Sequence, residues 1–207
     1  MTIYLIRHGE TVWNRAGRFQ GRADSPLTLA GTRLAIAYGE HLREQLGRAP
    51  DVEIHTSPLG RARQTAALIA DVLELDTEAI RADERLAEHD VGALEGCTWD
   101  EVHARFGLTR ERFSAWDFRP PSGESRDEIL ARARSWLAEP CRRPAIAVSH
   151  GGFSRLLRCA YLGLTPAAMR DLPSHVHGRL FVLARADTGP EARLVEIGHA
   201  PADLGAP

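Results

Sequence analysis

The sequence predicts an α/β fold: a three-layer α/β/α sandwich around a mostly parallel sheet, with a small helical lid inserted into it. Residues 2–6 are β-branched, aromatic or aliphatic and uncharged, which is typical of a strand buried on both faces of a parallel sheet. Residues 145–148 form a second apolar run of the same kind. Each run leads into a His-Gly pair, at His8 and at His150, so the chain contains two similar strand–His–Gly units.

Length and composition favour one soluble domain. The chain has 207 residues, of which 43% are hydrophobic, and we expect a single domain over residues 1–207. The formal net charge of -2 gives no general attraction for nucleic acid or anionic lipid. Lysine is absent, so every basic side chain is a guanidinium or an imidazole, and guanidinium groups suit bidentate contacts with phosphate.

The first part of the chain alternates between predicted strands and helices. After the first strand we expect a short helix or structured loop over 10–18 and an amphipathic helix over 27–46. A second strand is predicted over 52–55. The pair Ser57-Pro58 predicts the start of the next helix, with Ser57 as its N-cap and Pro58 in its first turn.

The pattern loosens in the middle of the chain and becomes regular again after it. Thr98 and Thr109 both have the character of helix starts, and we interpret residues 85–121 as the helical lid. The other predicted elements are a strand over 79–81, a helix from Ser125, a strand over 144–148, helices over 152–162 and 165–172, a hairpin of strands over 178–184 and 193–197, and a flexible tail over 200–207.

Chemically distinctive residues follow the two apolar strands at the place where α/β proteins bind ligands. The carboxyl ends of parallel strands meet at one edge of a sheet. Arg7 offers a cationic fork for an oxyanion, and His8 offers a neutral nitrogen that can attack. Gly9 allows a sharp turn and a close approach of the backbone to a ligand. The second unit predicts that the imidazole of His150 faces the same anion.

An ordered set of short blocks resembles one known family, the histidine phosphatase superfamily of phosphoglycerate mutase-like proteins. The blocks occur in that family's order and span roughly residues 2 to 155. They are Leu-Ile-Arg-His-Gly-Glu-Thr at 5–11, Phe-Gln-Gly-Arg-Ala-Asp-Ser-Pro-Leu-Thr at 19–28, Thr-Ser-Pro-Leu-Gly-Arg at 56–61, Leu-Ala-Glu at 86–88 with glycines at 92 and 96, Ser-Gly-Glu-Ser at 122–125 and Ser-His-Gly-Gly at 149–152.

The resemblance implies that Arg7 and Arg61 form a phosphate clamp. Arg63 is a competing candidate for the second arginine, but the Ser-Pro-Leu-x-Arg spacing selects Arg61. His150 is implied as the fourth member of the phosphate pocket, beside backbone N–H groups at the start of the helix that follows it.

The resemblance also implies a nucleophile, a proton-transfer residue and a rim. His8 would attack phosphorus, and Glu88 would act as general acid and base. The rivals of Glu88 are Asp83, Glu84, Asp90 and Glu95. Asn14 and Gln20 are either rim residues that complete the phosphoryl cage or plain turn residues, and the roles of His175 and His177 stay open.

The expected function is metal-independent hydrolysis of a small phosphomonoester through a phosphohistidine intermediate. Two alternatives stay open: phosphoryl transfer of the phosphoglycerate mutase type, and a non-catalytic module that binds a phosphorylated ligand. Mutases of this family have a longer lid with adjacent arginines and a lysine, whereas residues 88–122 are short and have neither. The identity of the substrate is not encoded in these patterns.

No cofactor and no metal are expected. The chain lacks zinc-type Cys/His spacing and a phosphate loop with lysine. Its three scattered cysteines favour a reducing cytoplasm. We expect no signal peptide, no membrane span and no nucleic-acid partner, only a small phosphorylated substrate, with the chain either a monomer or a homodimer.

Overall fold

A six-stranded sheet lies at the centre of the protein. A computed structural model of the chain describes residues 2–139 and 141–197. The strand order is β3-β2-β4-β1-β5-β6; the first four strands pair in parallel, and the last two pair antiparallel at one edge. The strands are β1 (Ile3–Arg7), β2 (Glu53–Thr56), β3 (Arg81–Ala82), β4 (Ala145–Ser149), β5 (Arg179–Ala186) and β6 (Gly189–Glu196). The predicted α/β class with a mostly parallel sheet is confirmed.

Helices cover both faces of the sheet. The helices of the described residues are α1 (Val12–Arg15), α2 (Leu29–Leu46), α3 (Gly60–Leu73), α4 (Trp99–Phe106), α5 (Arg110–Ser114), α6 (Arg126–Ala138) and α7 (Gly151–Tyr161). Of these, α2 and α3 pack on one face of the sheet, and α6 and α7 pack on the other. Because successive side chains of a strand point to opposite faces, Leu5 packs with α6 and α7 while Ile6 packs with α2 and α3. The three predicted layers are therefore present, with an apolar cluster on each side of the sheet.

A third apolar cluster lies apart from the sheet. It joins Phe19, Val91, Leu94, Val102 and Phe118, with Trp99 and Phe113 packed against it. The helices of this region begin where the sequence predicted, because Thr98 and Thr109 each cap the helix that follows them through a side-chain hydrogen bond. The bounds of the lid at 85–121 as a separate unit stay a prediction.

Some predicted element boundaries are wrong. The helix expected from Ser57 begins at Gly60, with Leu59 at its N-cap position and no side-chain cap. The short helix or structured loop expected over 10–18 contains α1, in agreement with the prediction, whereas the helix expected over 165–172 is a 3₁₀ turn at Ala168–Asp171. The hairpin of β5 and β6 is confirmed, with β6 starting earlier than predicted. The predicted tail at 200–207 lies outside the described residues.

Candidate active site

A cavity of about 740 Å³ opens at the carboxyl ends of the parallel strands. Arg7 and His8 reach it from the end of β1, Arg61 from the first turn of α3, and Glu88 from the segment after β3. Gln20 and Asn14 line its wall. The structure thus brings together residues that are up to 81 positions apart in the chain, as the sequence predicted.

The two ring nitrogens of His8 have different environments. His8 is 2% exposed, and its Nδ1 lies 2.7 Å from the carbonyl oxygen of Gly9. Since a carbonyl oxygen can only accept, Nδ1 carries the proton and Nε2 keeps its lone pair. Burial, and then the charge of Arg61, holds the pKa of His8 well below its usual range. The ring is therefore a neutral imidazole whose free electron pair belongs to Nε2.

Arg61 is almost fully enclosed by the protein. Its Nε donates to Nε2 of His8 at 3.2 Å, and its Nη2 donates to the carbonyl of Gly21 at 2.8 Å. Its Nη1 donates to the carbonyl of Ala23 at 2.8 Å and to Oδ1 of Asp24 at 2.9 Å. The expectation of a freely bidentate phosphate clamp is therefore too simple, because most of its N–H groups already bind protein oxygens. The group that faces His8 is Nε–H.

Arg7 belongs to a buried polar network on the other side of His8. Its Nη1 donates to the carbonyl of His175 at 3.1 Å. The ring of His175 is fixed at both nitrogens, since Nε2 donates to the carbonyl of Arg179 and Nδ1 pairs with the hydroxyl of Ser154. Burial, followed by the charge of Arg158, lowers the pKa of His175 to about 3, so this histidine is a neutral support for Arg7.

The ring of His150 packs against the ring of His8. The two ring centroids are 5.1 Å apart, and His150 is fully buried. Nε2 of His150 lies 2.7 Å from Oγ of Ser57, which also accepts the backbone N–H of Leu59. With the Ser57 hydroxyl donating to Nε2, the proton of His150 is on Nδ1, a buried atom without a hydrogen-bond partner in the described part of the chain. Ser57 therefore orients an imidazole that lies 93 residues away in the chain, and its hydroxyl does not cap the helix that follows.

The carboxylate of Glu88 lies at the N-terminus of α7. One carboxylate oxygen, Oε1, accepts the N–H of Phe153 at 2.8 Å and that of His89 at 2.9 Å, and Oε2 accepts the N–H of Gly152 at 3.2 Å. The sequence predicted that the backbone N–H groups at the start of this helix face the substrate's oxyanion, but those of Gly152 and Phe153 do not. They hold the carboxylate of Glu88 instead, as expected for an anion at a helix N-terminus.

A second charged pair supports the segment that carries Glu88. Arg132 donates to the carbonyls of Ala87 and Glu88, and its guanidinium also forms an ion pair with Glu124 at 2.8 Å. Glu124 belongs to the Ser-Gly-Glu-Ser block at 122–125, and its ion pair orients the guanidinium of Arg132. Sequence reasoning missed Arg132, because nothing in its local pattern indicates a contact 44 residues away.

The upper walls of the cavity are aromatic and basic. Phe19, Trp99 and Phe113 form ring contacts with centroid distances of 4.9–5.4 Å, and the two contacts of Trp99 are edge-on. Arg110 of α5 stacks on Trp99, with its guanidinium carbon 4.6 Å from the ring centroid. His89, which the sequence analysis left aside, also lines the wall. The remaining basic residues along the wall are Arg18, Arg126 and Arg155.

One group of metal-ligand residue types meets elsewhere in the described part of the chain. Ligand atoms of Glu53, His55 and Cys141 all lie within 4.8 Å of one another. The group is at the start of β2, at the end of the sheet away from the cavity. Arg81 and Arg143 each come within 3.7 Å of a carboxylate oxygen of Glu53 and balance its charge. It takes no part in the site around His8.

Comparison with known proteins decides the family. The family described as "Histidine phosphatase superfamily (branch 1)" matches this chain over residues 3–197. The chain belongs to the histidine phosphatase superfamily. Residues 3–197 include both strand–His–Gly units and the whole cavity, so the match covers the complete site and not a fragment of it.

Relatives in this superfamily carry two kinds of names. A probable phosphoglycerate mutase GpmB of Klebsiella pneumoniae is 40% identical over 178 residues, which cover 83% of this chain and 80% of the relative. The protein of the same name from Yersinia enterocolitica is 36% identical over the same shares. The solved structures similar to this chain include phosphatases.

Two of those structures cover nearly the whole chain. A mycobacterial glucosyl-3-phosphoglycerate phosphatase in complex with VO3 has a TM-score of 0.79 and 29% identity, covering 93% of this chain and 96% of that one. A putative alpha-ribazole-5'-P phosphatase from Escherichia coli has a TM-score of 0.78 and 25% identity, covering 95% and 96%. The superfamily membership therefore leaves a choice between phosphatase and mutase.

In the described part of the chain, no helix has both the length and the apolar character needed to cross a bilayer.

Proposed function

We propose that this superfamily member is a phosphomonoester hydrolase that acts through a phosphohistidine. Nε2 of His8 attacks phosphorus, and the bond to the leaving oxygen breaks as a proton passes to that oxygen from Glu88. The same carboxyl group then takes a proton from the water that cleaves the P–N bond. Arg7, Arg61 and Nδ1–H of His150 stabilise the charge on the phosphoryl oxygens. Asn14 and Gln20 contact the substrate at the rim.

The observation that carries this proposal is the hydrogen bond from Nδ1 of His8 to the carbonyl of Gly9. This bond fixes the tautomer in which Nε2 is the attacking atom, and it also orients the ring. Nε–H of Arg61 donates to Nε2 of His8 at 3.2 Å. The attack therefore requires the Arg61 contact to pass from the ring nitrogen to a phosphoryl oxygen as substrate binds.

The lid supports hydrolysis over the mutase reaction. The arginines of residues 88–122 are Arg105, Arg110, Arg112 and Arg119, of which Arg110 alone lines the cavity. Arg112 pairs with Asp117, and Arg119 pairs with Glu128 and the carbonyl of Gly123. No two adjacent lid arginines are available for a substrate carboxylate, and an accessible cavity admits the water that hydrolysis needs. The names of the curated relatives keep the mutase reaction as the second candidate.

Turnover of 4-nitrophenyl phosphate tests the proposal. We expect release of phosphate by the wild type and loss of turnover in His8→Ala. Added EDTA should not reduce the rate, because arginines supply the positive charge at the phosphoryl group. With 3-phosphoglycerate, phosphate release should be faster than conversion to 2-phosphoglycerate. Faster conversion would establish the mutase instead, and no turnover by the wild type would favour a binding module.

Trapping the intermediate gives an independent test. A phosphoramidate at Nε2 of His8 is labile in acid and stable in base, unlike a phosphoserine. Rapid quenching with a labelled substrate, followed by peptide mapping, should place the label at His8. A label at another residue would exclude the proposed mechanism even if the protein releases phosphate.

A further inference from the structure

The ring of His177 lies next to the ring of His8. The two centroids are 5.7 Å apart, and the ring planes are inclined at 67°. The backbone around His177 is held on both sides, since His175 is bonded at both ring nitrogens and the N–H of Gly178 donates to the hydroxyl of Tyr38 at 2.9 Å. His177 is 7% exposed. The ring is therefore held in place beside the attacking residue.

Nε2 of His177 is buried and has no hydrogen-bond partner within residues 2–139 and 141–197. A buried polar atom without a partner destabilises a fold, so native proteins keep few of them. His175 shows the contrast two positions earlier in the chain, because both of its nitrogens are bonded. A partner that arrives with a ligand explains why an imidazole is retained at position 177.

The surroundings of this nitrogen select the kind of ligand. Burial, and then the charge of Arg7, lowers the pKa of His177 to about 2, so the ring is neutral. The phosphoryl group of the proposed reaction binds between Arg7 and His8. A neutral N–H donor adds a hydrogen bond to an anionic oxygen there without repelling the guanidinium.

We propose that His177 is a further phosphoryl-binding residue, whose Nε2–H donates a hydrogen bond to an oxygen of the phosphoryl group seated at His8. This assignment rests on the proposed function, because it places the phosphoryl group at His8. It gives a role to a histidine whose neighbourhood in the sequence left its role open, and it adds a third imidazole to the site.

Two substitutions at position 177 and one at position 175 test the assignment. His177→Leu removes both ring nitrogens at similar volume, and His177→Gln keeps an N–H donor near the position of Nε2. We expect His177→Leu to weaken the binding of inorganic phosphate, measured by calorimetry, about tenfold or more. His177→Gln should retain most of the affinity. The turnover of 4-nitrophenyl phosphate should follow the same order.

Thermal unfolding separates binding from a structural role. Replacing an unpartnered buried nitrogen by an apolar side chain should leave Tm unchanged or raise it. The matched control, His175→Leu, leaves the Ser154 hydroxyl without its partner and leaves the Arg179 carbonyl with Tyr38 as its one side-chain donor among the described residues, so its Tm should fall. A lower Tm for His177→Leu with unchanged phosphate affinity would overturn the assignment. If His177→Leu does not fold, His177→Asn, whose amide ends short of the Nε2 position, should show the same loss of affinity.

The calorimetric measurement distinguishes failure of this assignment from failure of the proposed function. Equal phosphate affinity in the wild type and His177→Leu, with normal turnover in both, would reject the role of His177 and leave the hydrolase intact. If the wild type shows no turnover and His177→Leu binds phosphate more weakly than the wild type, the role of His177 is supported and the hydrolase is rejected. A wild type that does not bind phosphate would reject both.

Discussion

At the scale of single residues, the site holds a neutral ring, a carboxylate and guanidinium groups in fixed positions around one cavity. His8 is neutral and keeps its lone pair on Nε2, while Glu88 is held by three backbone N–H groups on the opposite wall. Arg61 lies between two carbonyls, Asp24 and the His8 ring. Each reactive group therefore has an orientation set by the protein before substrate enters, which is what electrostatic preorganisation requires.

Replacement of Glu88 tests the assignment of proton transfer to this residue. Glu88→Gln keeps the shape but removes the acid and base, and we expect kcat for an alkyl phosphate to fall by about 10²–10⁴. A 4-nitrophenyl leaving group needs no proton, so its transfer to His8 should suffer less. Glu111→Gln, a change in the other carboxylate that lines the cavity, serves as the control and should leave both rates unchanged. Equal rates for Glu88→Gln and the wild type on alkyl phosphates would reject the assignment.

At the scale of elements, the start of α7 positions the carboxylate of Glu88. A Cβ at Gly152 would meet Oε1 of Glu88 at 2.8 Å, whereas one at Gly151 would meet its nearest atoms at 3.3–3.4 Å. We therefore expect Gly152→Ala to displace the carboxylate and lower kcat by an order of magnitude or more, with a smaller loss for Gly151→Ala. Steady-state kinetics with an alkyl phosphate provides the measurement. The reverse order of losses would show that α7 does not position Glu88.

Aromatic side chains form part of the cavity wall. Phe113 contacts Phe19, Trp99 and Phe118, and it lines the cavity. We expect Phe113→Ala to raise KM for bulky aryl phosphates several-fold with little change in kcat, since the phosphoryl contacts persist. Phe106→Ala is the matched control, because Phe106 is 37% exposed on α4 and does not line the cavity. Equal KM values in Phe113→Ala and the wild type would assign the ring to packing alone.

The elements that sequence predicted well are those with local causes. The capping boxes at Thr98 and Ser125 start their helices where predicted, because each involves residues three positions apart. The start of α3 was missed because the hydroxyl of Ser57 bonds to His150, 93 residues away, and does not cap its own helix. The contact of Glu88 with the N-terminus of α7 was missed for the same reason, because Glu88 lies 64 residues before Gly152 in the chain. The positions of the strand ends in the sequence predicted which residues meet at the site. The hydrogen bonds that these residues form depend on packing between distant parts of the chain.

At the scale of the whole molecule, the site makes folding depend on pH. Burial and nearby arginines hold the pKa values of His8 and His150 well below the usual range, and those of His175 and His177 fall to about 3 and about 2. In the unfolded chain these groups return to about 6.5. Below that pH the unfolded state binds more protons than the native state, so stability is full above pH 6.5 and is lost as the pH falls.

The size of this effect can be measured by thermal unfolding between pH 8 and pH 5. One unit below the unfolded pKa, each imidazole removes about 1.4 kcal/mol, so four remove roughly 5–6 kcal/mol, which is comparable to the total stability of many domains. We expect Tm to be flat from pH 8 to 7 and to fall steeply below pH 6.5. His177→Leu removes one of these groups, so its Tm should fall less steeply with acid while matching the wild type at pH 8. A wild-type Tm that stays constant down to pH 5 would mean that these imidazoles take up protons in the folded state, and a neutral His8 would then have to arise from substrate binding and not from the fold.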